Sequence, residues 1–452
     1  MKKIETVPET KEHLWQLKDI SEKDLEAAKE FNHRYLHYEE LKYRTKNEEE
    51  RNLIWTIMKS MRTLNEKKIS LFGTSFCYSL TSDLLENLFL LEKRLSGFFE
   101  YHGKEAGESK MRYYSVASFL EEAISSSILE GAAVTRKDAK VMIRKKIKPV
   151  TKGQKMVVNN YEAMENIKKI KDVPLTPEMI RDMHRMIVKG TLDDGEAWEG
   201  RYREDNDTVV GDDDGKVFHR PPDFKEIPGM IADLCEYANI GGKEYTHPLI
   251  KAIVLHFMIG YIRPFTDGNG RLARSLFYWY SMRSDHWVME YAAISKEISA
   301  SRTNYGLAYQ YSETDGNDLT YFIKFNVNCI VKALDSLERY VEKKATEKKN
   351  ARKFAEQNPE LNMRQATILK DYMNEEAFSL TELKNRYRAA YQTMRLDVLD
   401  LEKKGLVRAT GKEGKKILYM VDLVRMSKGE IEKKDGKGET EIGFKHMKLI
   451  RI

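Results

Sequence analysis

Cysteine is scarce in this chain: Cys77, Cys235 and Cys329 are the three among 452 residues, and they stand far apart. No CxxC pair exists, so neither a zinc knuckle nor a disulfide framework is supported. Free thiols in a reducing cytoplasm are the expectation. Proline (10) and glycine (26) are few while methionine (20) is plentiful, which favours long helices over many-turn β architectures. Long apolar runs are missing too. The longest, Ala252–Ile262, is interrupted by His256 and falls far short of the ~20 residues a membrane span needs. The start, MKKIETVPETKEH, has no apolar h-region, so no signal peptide is expected. Nor does one sign of charge dominate: 77 basic residues face 71 acidic ones, a net +6. The excess is local. Residues 341–452 hold 26 Lys/Arg against 18 Asp/Glu, a net +8, which leaves about −2 for the first 340. An anionic partner is to be sought at the C-terminal end.

What is present reads as mainly α, at a length that suggests two to four domains. Residues 11–110 carry helical periodicity, in Leu14, Leu17, Ile20, then Leu25, Ala28, Phe31, then Ile54, Ile57, Met58, Met61. This region, 1–111, shows no chemistry of its own and reads as a platform or docking region. A helix over roughly Tyr113–Leu129 stops at Gly131, a residue suited to the left-handed C-cap. Thr176 caps PEMIRDMHRMIVKG, with Pro177 at the first helical position. From Thr191 to Asp223 the pattern changes, with six Gly/Pro and eleven acidic residues. Thr208-Val209-Val210 and Val217-Phe218 around GDDDG predict a short β-hairpin.

Residues 262–274, IRPFTDGNGRLAR, follow the apolar helix Pro248–Ile262 and open another. Gly268 and Gly270 let the backbone turn tightly there, so that main-chain N–H groups face outward at the positive end of the helix dipole, an anion site. Arg271 and Arg274 are three apart and can flank it. Asp267 beside an anion makes sense if Mg²⁺ bridges it to phosphates. A loop, one carboxylate and two arginines suggest a Mg-nucleotide site. As bare spacing, GNGR also fits any Gly-rich turn with a solvated arginine.

The whole segment resembles the Fic/Doc (Fido) signature, His-Pro-Phe-x-Asp/Glu-Gly-Asn-Gly-Arg-x-x-Arg. GRYR (200–203), the acidic hairpin and the Pro221-Pro222 pair resemble that family's flap. Ser126-Ser127-Ile128-Leu129-Glu130-Gly131 resembles its inhibitory motif, Ser/Thr-x-x-x-Glu-Gly/Asn, and NDLTYFIKF (317–325) its closing helix. The resemblance covers about residues 112–335. It implies a Fic helical core with a β-hairpin flap over 112–340, with an inhibitory helix at 112–131. The activity implied is protein adenylyl transfer, AMP from ATP to a side-chain hydroxyl of a target protein. Asp267 would hold Mg²⁺. Gly268, Asn269, Gly270 and Arg271 would cradle the α- and β-phosphates, and Arg274 the γ-phosphate. Glu130, with Ser126, would reach Arg274 and take the γ-phosphate's place. Thr208, Val209 and Val210 would pair with the target's extended segment.

One position departs from the signature: Arg263 stands where the family has the histidine that serves as general base. A base needs a pKa near working pH, and an arginine has five donors and no acceptor. Three readings stay open. The chain has lost or nearly lost transfer but binds nucleotide, with Arg263 an added cation. Or another base substitutes, His219 at the flap's far end having the reach, whereas His256 reads as a core histidine. Or the change is accidental, since one base separates a His codon from an Arg codon.

After a charged helical linker (341–360), three short helices and a strand–turn–strand over 361–426 predict a winged helix-turn-helix, followed by a Lys/Gly/Glu-rich tail (427–452). Ser379 and Glu382 predict a capping box. Arg386, Arg388, Gln392, Arg395, Lys412, Lys415 and Lys416 would make a basic face suited to phosphate contact. DNA binding, protein docking, homodimerisation and a plain structural role are all open for this module. The expectation is thus a cytoplasmic ATP/Mg²⁺-binding Fic-family protein with an undefined target. The rival is a non-enzymatic nucleotide-sensing regulator acting through the winged helix.

Overall fold

The computed structural model describes residues 4–8, 20–95, 100–101, 104–105, 108–144, 146–193, 195–211, 215, 217–240, 245–358, 360–373, 377–414 and 416–428. The helical periodicity read over 11–19, Lys415, and the tail beyond 428 lie outside these residues. The chain divides into two compact units, Met1–Leu337 and Glu338–Ile452. It is mainly α, as its composition implies.

Two helices, Glu22–Arg34 and Glu48–Thr63, pack together at the start of the first unit. Ser21 and Asp24 form a capping box on the first, and the Asn47 side chain accepts the Glu50 N–H on the second. The stretch after them was expected to be helical and is not. Glu66–Leu71 and Thr74–Ser79 form an antiparallel hairpin. The physical reason is local. Phe72 and Gly73 both take positive φ (58° and 68°), the geometry of a two-residue hairpin turn. The second strand also docks on a distant loop, where Cys77 N–H donates to Asn317 O (3.1 Å) and Leu319 N–H to Cys77 O (2.8 Å).

At the centre lies the helix Pro248–Ile262, apolar on all sides apart from Lys251 and His256 and accordingly buried on nearly every side. It turns back through residues 263–268 into Asn269–Arg283, whose Leu272, Leu276, Phe277, Tyr278 and Trp279 are buried. The helices Glu108–Leu129, Lys152–Ile170 and Pro177–Val188 pack around this pair. Thr176 caps the last of them, its hydroxyl accepting the Met179 N–H, with Pro177 in the first turn. Among the described residues no helix is long and apolar enough to cross a membrane.

The N-terminal region is tied to the core by buried charge. Arg302–Thr314 ends at Asp315, which faces Lys59 Nζ at 2.9 Å and Arg62 at 3.5 Å. Arg62 also donates to Tyr321 Oη (2.7 Å) and lies 3.9 Å from the Tyr35 ring centre, while Tyr35 Oη donates to Asp318 (2.7 Å).

The second unit places Met363–Asp371, Leu380–Tyr387 and Tyr391–Lys403 around Ile368, Leu369, Leu383, Met394, Val398 and Leu401. Lys416–Val421 pairs antiparallel with both Val407–Glu413 and the short strand Phe378–Ser379. The three helices and the final strand pair follow the order read from the sequence; the short strand Phe378–Ser379 between the first two helices was not foreseen. Ser379 caps its helix by accepting the Glu382 N–H, but the Glu382 carboxylate is taken by the Tyr372 hydroxyl (2.9 Å).

Removing Arg62 would leave Asp315 buried with less counter-charge. Breaking such a pair costs roughly 3–5 kcal/mol. Arg62→Ala is therefore expected to lower the denaturant midpoint of the chain sharply. An unchanged midpoint would show that the ion pair does not hold the N-terminal region in place.

Candidate functional site

The turn between the two central helices is built by three devices. First, Arg263 ends the helix in the left-handed conformation (φ 44°), its N–H donating to Ile259 O. Arg203, fully buried, fixes this corner. Its N–H donates to Pro264 O (2.9 Å) and its Nε to Arg263 O (3.0 Å). Its remaining guanidinium N–H groups go to Asp205 O, Asn206 Oδ1 and Pro222 O. Second, His184 stacks on Phe265 with ring centres 3.7 Å apart. Its Nδ1 accepts the Gly200 N–H (3.0 Å), so Nε2 carries the proton donated to Asp267 O (2.9 Å). Burial pushes its pKa down to about 4, which keeps it neutral. Third, the Asn269 side chain closes on the loop itself. Its Nδ2 donates to Phe265 O (2.6 Å) and its Oδ1 accepts the Phe265 N–H (3.1 Å).

The second helix then begins at Gly268 (φ 81°), with no side chain capping its first turn. A side chain at 268 would strike Val188. The first-turn N–H groups have no intrahelical partner. Against them lies a carboxylate, since a Cβ placed on Gly270 would run into the Glu130 carboxyl.

Glu130 is delivered by the helix Glu108–Leu129. Gly131 (φ 88°) and the Ala132 N–H bonded to Ser127 O finish that helix, leaving Glu130 at its tip. Arg274 meets it there. Arg274 Nη2 donates to Glu130 Oε1 (2.9 Å) and to Ser126 O (3.1 Å), and Nε donates to Ser126 Oγ (2.8 Å). Burial opposes the Arg274 charge, yet the facing Glu130 raises its pKa above the ordinary value. Arg271 donates to Ile187 O (3.1 Å) and lies 3.7 Å from Asp267; burial lowers its pKa. Asp267 keeps half its side chain in solvent and accepts the Gly268 N–H (2.6 Å).

Of these groups Glu130 borders a cavity of about 550 Å³, while Asp267, Arg271 and Arg274 lie outside its lining. Glu130, Gly270 and Arg263 line one side. The flap contributes Val210, Phe218 and His219, and the helix Arg302–Thr314 contributes Arg302, Tyr305, Tyr309 and Glu313. Val210–Gly211 pairs with Val217–His219, whereas Thr208 and Val209 precede the strand. His219 Nδ1 is 2.8 Å from Glu313 and its Nε2 2.8 Å from Tyr261 O. Its ring is thus held between a carboxylate and a carbonyl. His256 is buried beside Phe277 and Phe322, bonded to the Tyr305 hydroxyl (2.9 Å), with its pKa pushed well down by burial.

Three cationic nitrogens around the turn are buried without an acceptor: Arg263 Nε, Arg271 Nε and Arg274 Nη1. An oxyanion would answer them. A divalent cation has less waiting for it. Among the described residues no three His, Cys, Asp or Glu side chains gather to hold a metal. Asp267 would supply one ligand, with phosphate and water oxygens the rest.

The sequence profile of the Fic/DOC family matches residues 174–281, which contain this turn. Residues 174–281 form a Fic domain. Relatives named protein adenylyltransferase Fic include those of Nematostella vectensis and of several Drosophila species. The protein of Nematostella vectensis is 24% identical over 239 residues, 51% of each chain. That of Drosophila melanogaster is 26% identical over 171 residues, 38% of this chain and 31% of its own. The chain thus spans about a third to a half of the curated relatives it matches. Among solved structures, a substituted form of Fic-1 from C. elegans superposes with a TM-score of 0.50 at 16% identity, covering 71% of this chain and 84% of that one. At that identity the likeness concerns the fold.

In the Fic domain the turn gathers Arg263, Asp267, Gly268, Gly270, Arg271 and Arg274, and the preceding helix adds Ser126 and Glu130. The Asn269 side chain serves the loop's own shape. Sequence reading passed over His184, the Arg203 clamp and the wall formed by Arg302, Tyr305, Tyr309 and Glu313. GRYR was visible as a motif, but nothing in it says that Arg203 bonds the carbonyls of Arg263, Pro264, Asp205 and Pro222 and the Asn206 side chain. Burial of neutral His184 has a pH signature. Its folded pKa lies below the unfolded 6.5, so stability is complete above pH 6.5 and lost as pH falls towards 4, by on the order of 3 kcal/mol. Comparing unfolding of the chain and His184→Gln across that window should show a flatter slope in the variant. Parallel slopes would mean that His184 titrates normally.

Proposed function

We propose that the cavity binds a nucleoside triphosphate with Mg²⁺ and belongs to adenylyl-transfer chemistry, with Glu130 and Arg263 both holding transfer down. The observation that carries this reading is the Glu130 carboxylate lying over Gly270 and on Arg274, at a helix start suited to an anion, with three guanidinium nitrogens unanswered nearby. The matched relatives named adenylyltransferases support the reaction class.

In that reaction a target hydroxyl attacks the α-phosphorus, the bond to pyrophosphate breaks and the hydroxyl proton must go to an acceptor. Bound Mg²⁺ would neutralise phosphate charge, with Asp267 as its protein ligand. The first-turn N–H groups of Asn269, Gly270 and Arg271 would hold phosphate oxygens, and Arg274 the terminal phosphate once Glu130 leaves it. His184 and Arg203 keep the loop in shape. Val210 would align the target's extended segment beside the flap strand. Arg263 supplies charge but no lone pair. His219, held between Glu313 and Tyr261 O, lines the same cavity.

A second reading is favoured by that missing base: a nucleotide-sensing regulator acting through the C-terminal unit. The helix Tyr391–Lys403 exposes Tyr391, Leu396 and Leu399 beside Arg395, a surface better matched to a protein than to DNA phosphates.

Calorimetric titration with ATP and Mg²⁺ should show binding that Glu130→Gly tightens by roughly tenfold, about the worth of one charge-assisted hydrogen bond. A Glu130→Gly chain that binds no nucleotide would refute the site. Self-labelling from labelled ATP should be faint in the native sequence and rise ~10²–10⁴-fold in Arg263→His, the usual span of general-base help. Equal labelling by both would mean that another group accepts the proton.

A further inference from the structure

A second recess, of about 580 Å³ and open to solvent, lies in the Fic domain away from the nucleotide cavity. Arg181 and Arg185, four apart and on one face of Pro177–Val188, form one wall. Gly200–Arg203 forms the floor, and Phe224, Lys225 and Pro228 the other wall. Arg203 is consumed by the turn. Arg181, Arg185, Arg201 and Lys225 still outweigh Glu199 and Glu204, and Glu199 is occupied by the Gly190 N–H (2.6 Å). All four of these cations have carboxylate neighbours, with Asp223 beside Lys225 and ion pairs at Arg181–Glu178, Arg185–Asp182 and Arg201–Glu204. Each ion pair is three residues apart with both side chains at least 44% exposed. Such solvated pairs are weak and exchange readily.

Two donors lining the recess have no acceptor at all, the Tyr202 hydroxyl and Arg181 Nε, both buried. The Arg185 guanidinium lies across the floor, where a Cβ on Gly200 (φ 77°) would come within 3.1 Å of its Nη2. Tyr202, Phe224 and Pro228 add apolar surface for the stem of a side chain. The place in the chain is telling as well. Gly200–Arg203 runs into the flap strand Val210–Gly211, and Phe224–Pro228 follows its partner Val217–His219. The recess sits at the root of the flap.

We propose that this recess is a docking subsite for carboxylate side chains of the polypeptide that the flap engages. The target class is then a segment with acidic residues flanking its acceptor hydroxyl. The proposal rests on the reading that the flap presents a target polypeptide to the nucleotide cavity. Charge complementarity selects the occupant, and an open trough suits side chains of an extended chain better than an enclosed small molecule. Occupancy also reaches the reaction centre. The floor is the segment whose Arg203 holds Arg263 and Pro264, and whose Gly200 N–H holds His184 against Asp267 O.

The test uses the full chain and a fluorescein-labelled oligoglutamate, with the matching oligoglutamine as control, read by anisotropy at low salt. Oligoglutamate should bind and oligoglutamine should not. The combined variant Arg181→Gln, Arg185→Gln, Lys225→Gln should weaken binding at least ~10-fold, as loss of three cations against a polyanion requires. Arg386→Gln with Arg395→Gln, in the basic C-terminal unit, should leave it unchanged. Unaltered affinity in the recess variant, or loss confined to the C-terminal variant, would overturn the proposal. Displacement of the peptide by inorganic phosphate at similar concentration would make a small anion the occupant and overturn it equally. Titration of the same variants with ATP and Mg²⁺ separates this from the nucleotide reading. Peptide binding absent while nucleotide binding persists counts against the recess alone.

Discussion

Arg274 is a cation with almost no contact with water, and something negative has to face it. A buried guanidinium left alone would cost several kcal/mol, so the surrounding chain is arranged around its partner. Here the partner is Glu130, brought in from a helix more than a hundred residues earlier and placed over the start of the Asn269–Arg283 helix. A phosphate would satisfy the same donors. Under the proposed function the ion pair and the nucleotide would compete for one position, and such competition would be the simplest form of inhibition a fold can contain. Ser126 keeps the exchange affordable, because its hydroxyl and carbonyl hold two Arg274 nitrogens whichever anion arrives.

The turn that presents this position depends on neutral groups as much as on charge. His184, held neutral by burial, and Arg203, spent on backbone carbonyls, fix a loop containing a left-handed arginine and a left-handed glycine. Neither touches the cavity's centre. Their part is to make the first-turn N–H groups converge. The far wall, Arg302–Thr314, is anchored in turn through Asp315 by Lys59 and Arg62. In this way the N-terminal region, featureless in chemistry, helps define the cavity.

Much of the chain around the site was legible in the sequence because its signals are local. Thr176 and Pro177 start a helix, Gly131 ends one, and IRPFTDGNGRLAR announces a turn into a helix. The hairpin Glu66–Ser79 was missed because a Phe-Gly turn with two positive φ values is a weak signal beside strong flanking helices. The roles of His184, Arg203 and the Arg302–Thr314 wall were illegible for another reason. They depend on which segments meet across sixty or more residues, and spacing alone carries no such information. Asn269 adds a second part to its place in the motif: its side-chain amide bonds Phe265 on both sides, a loop-shaping role that the motif did not announce.

The central claim is that Glu130 and a nucleotide phosphate compete for Arg274. A double-mutant cycle on ATP affinity tests it most directly, using Glu130→Gly, Arg274→Ala and the pair. The account predicts that Glu130→Gly tightens binding in the native background and does nothing once Arg274 is alanine. An equal gain in both backgrounds would mean that Glu130 hinders nucleotide by some route other than Arg274, and would contradict the account.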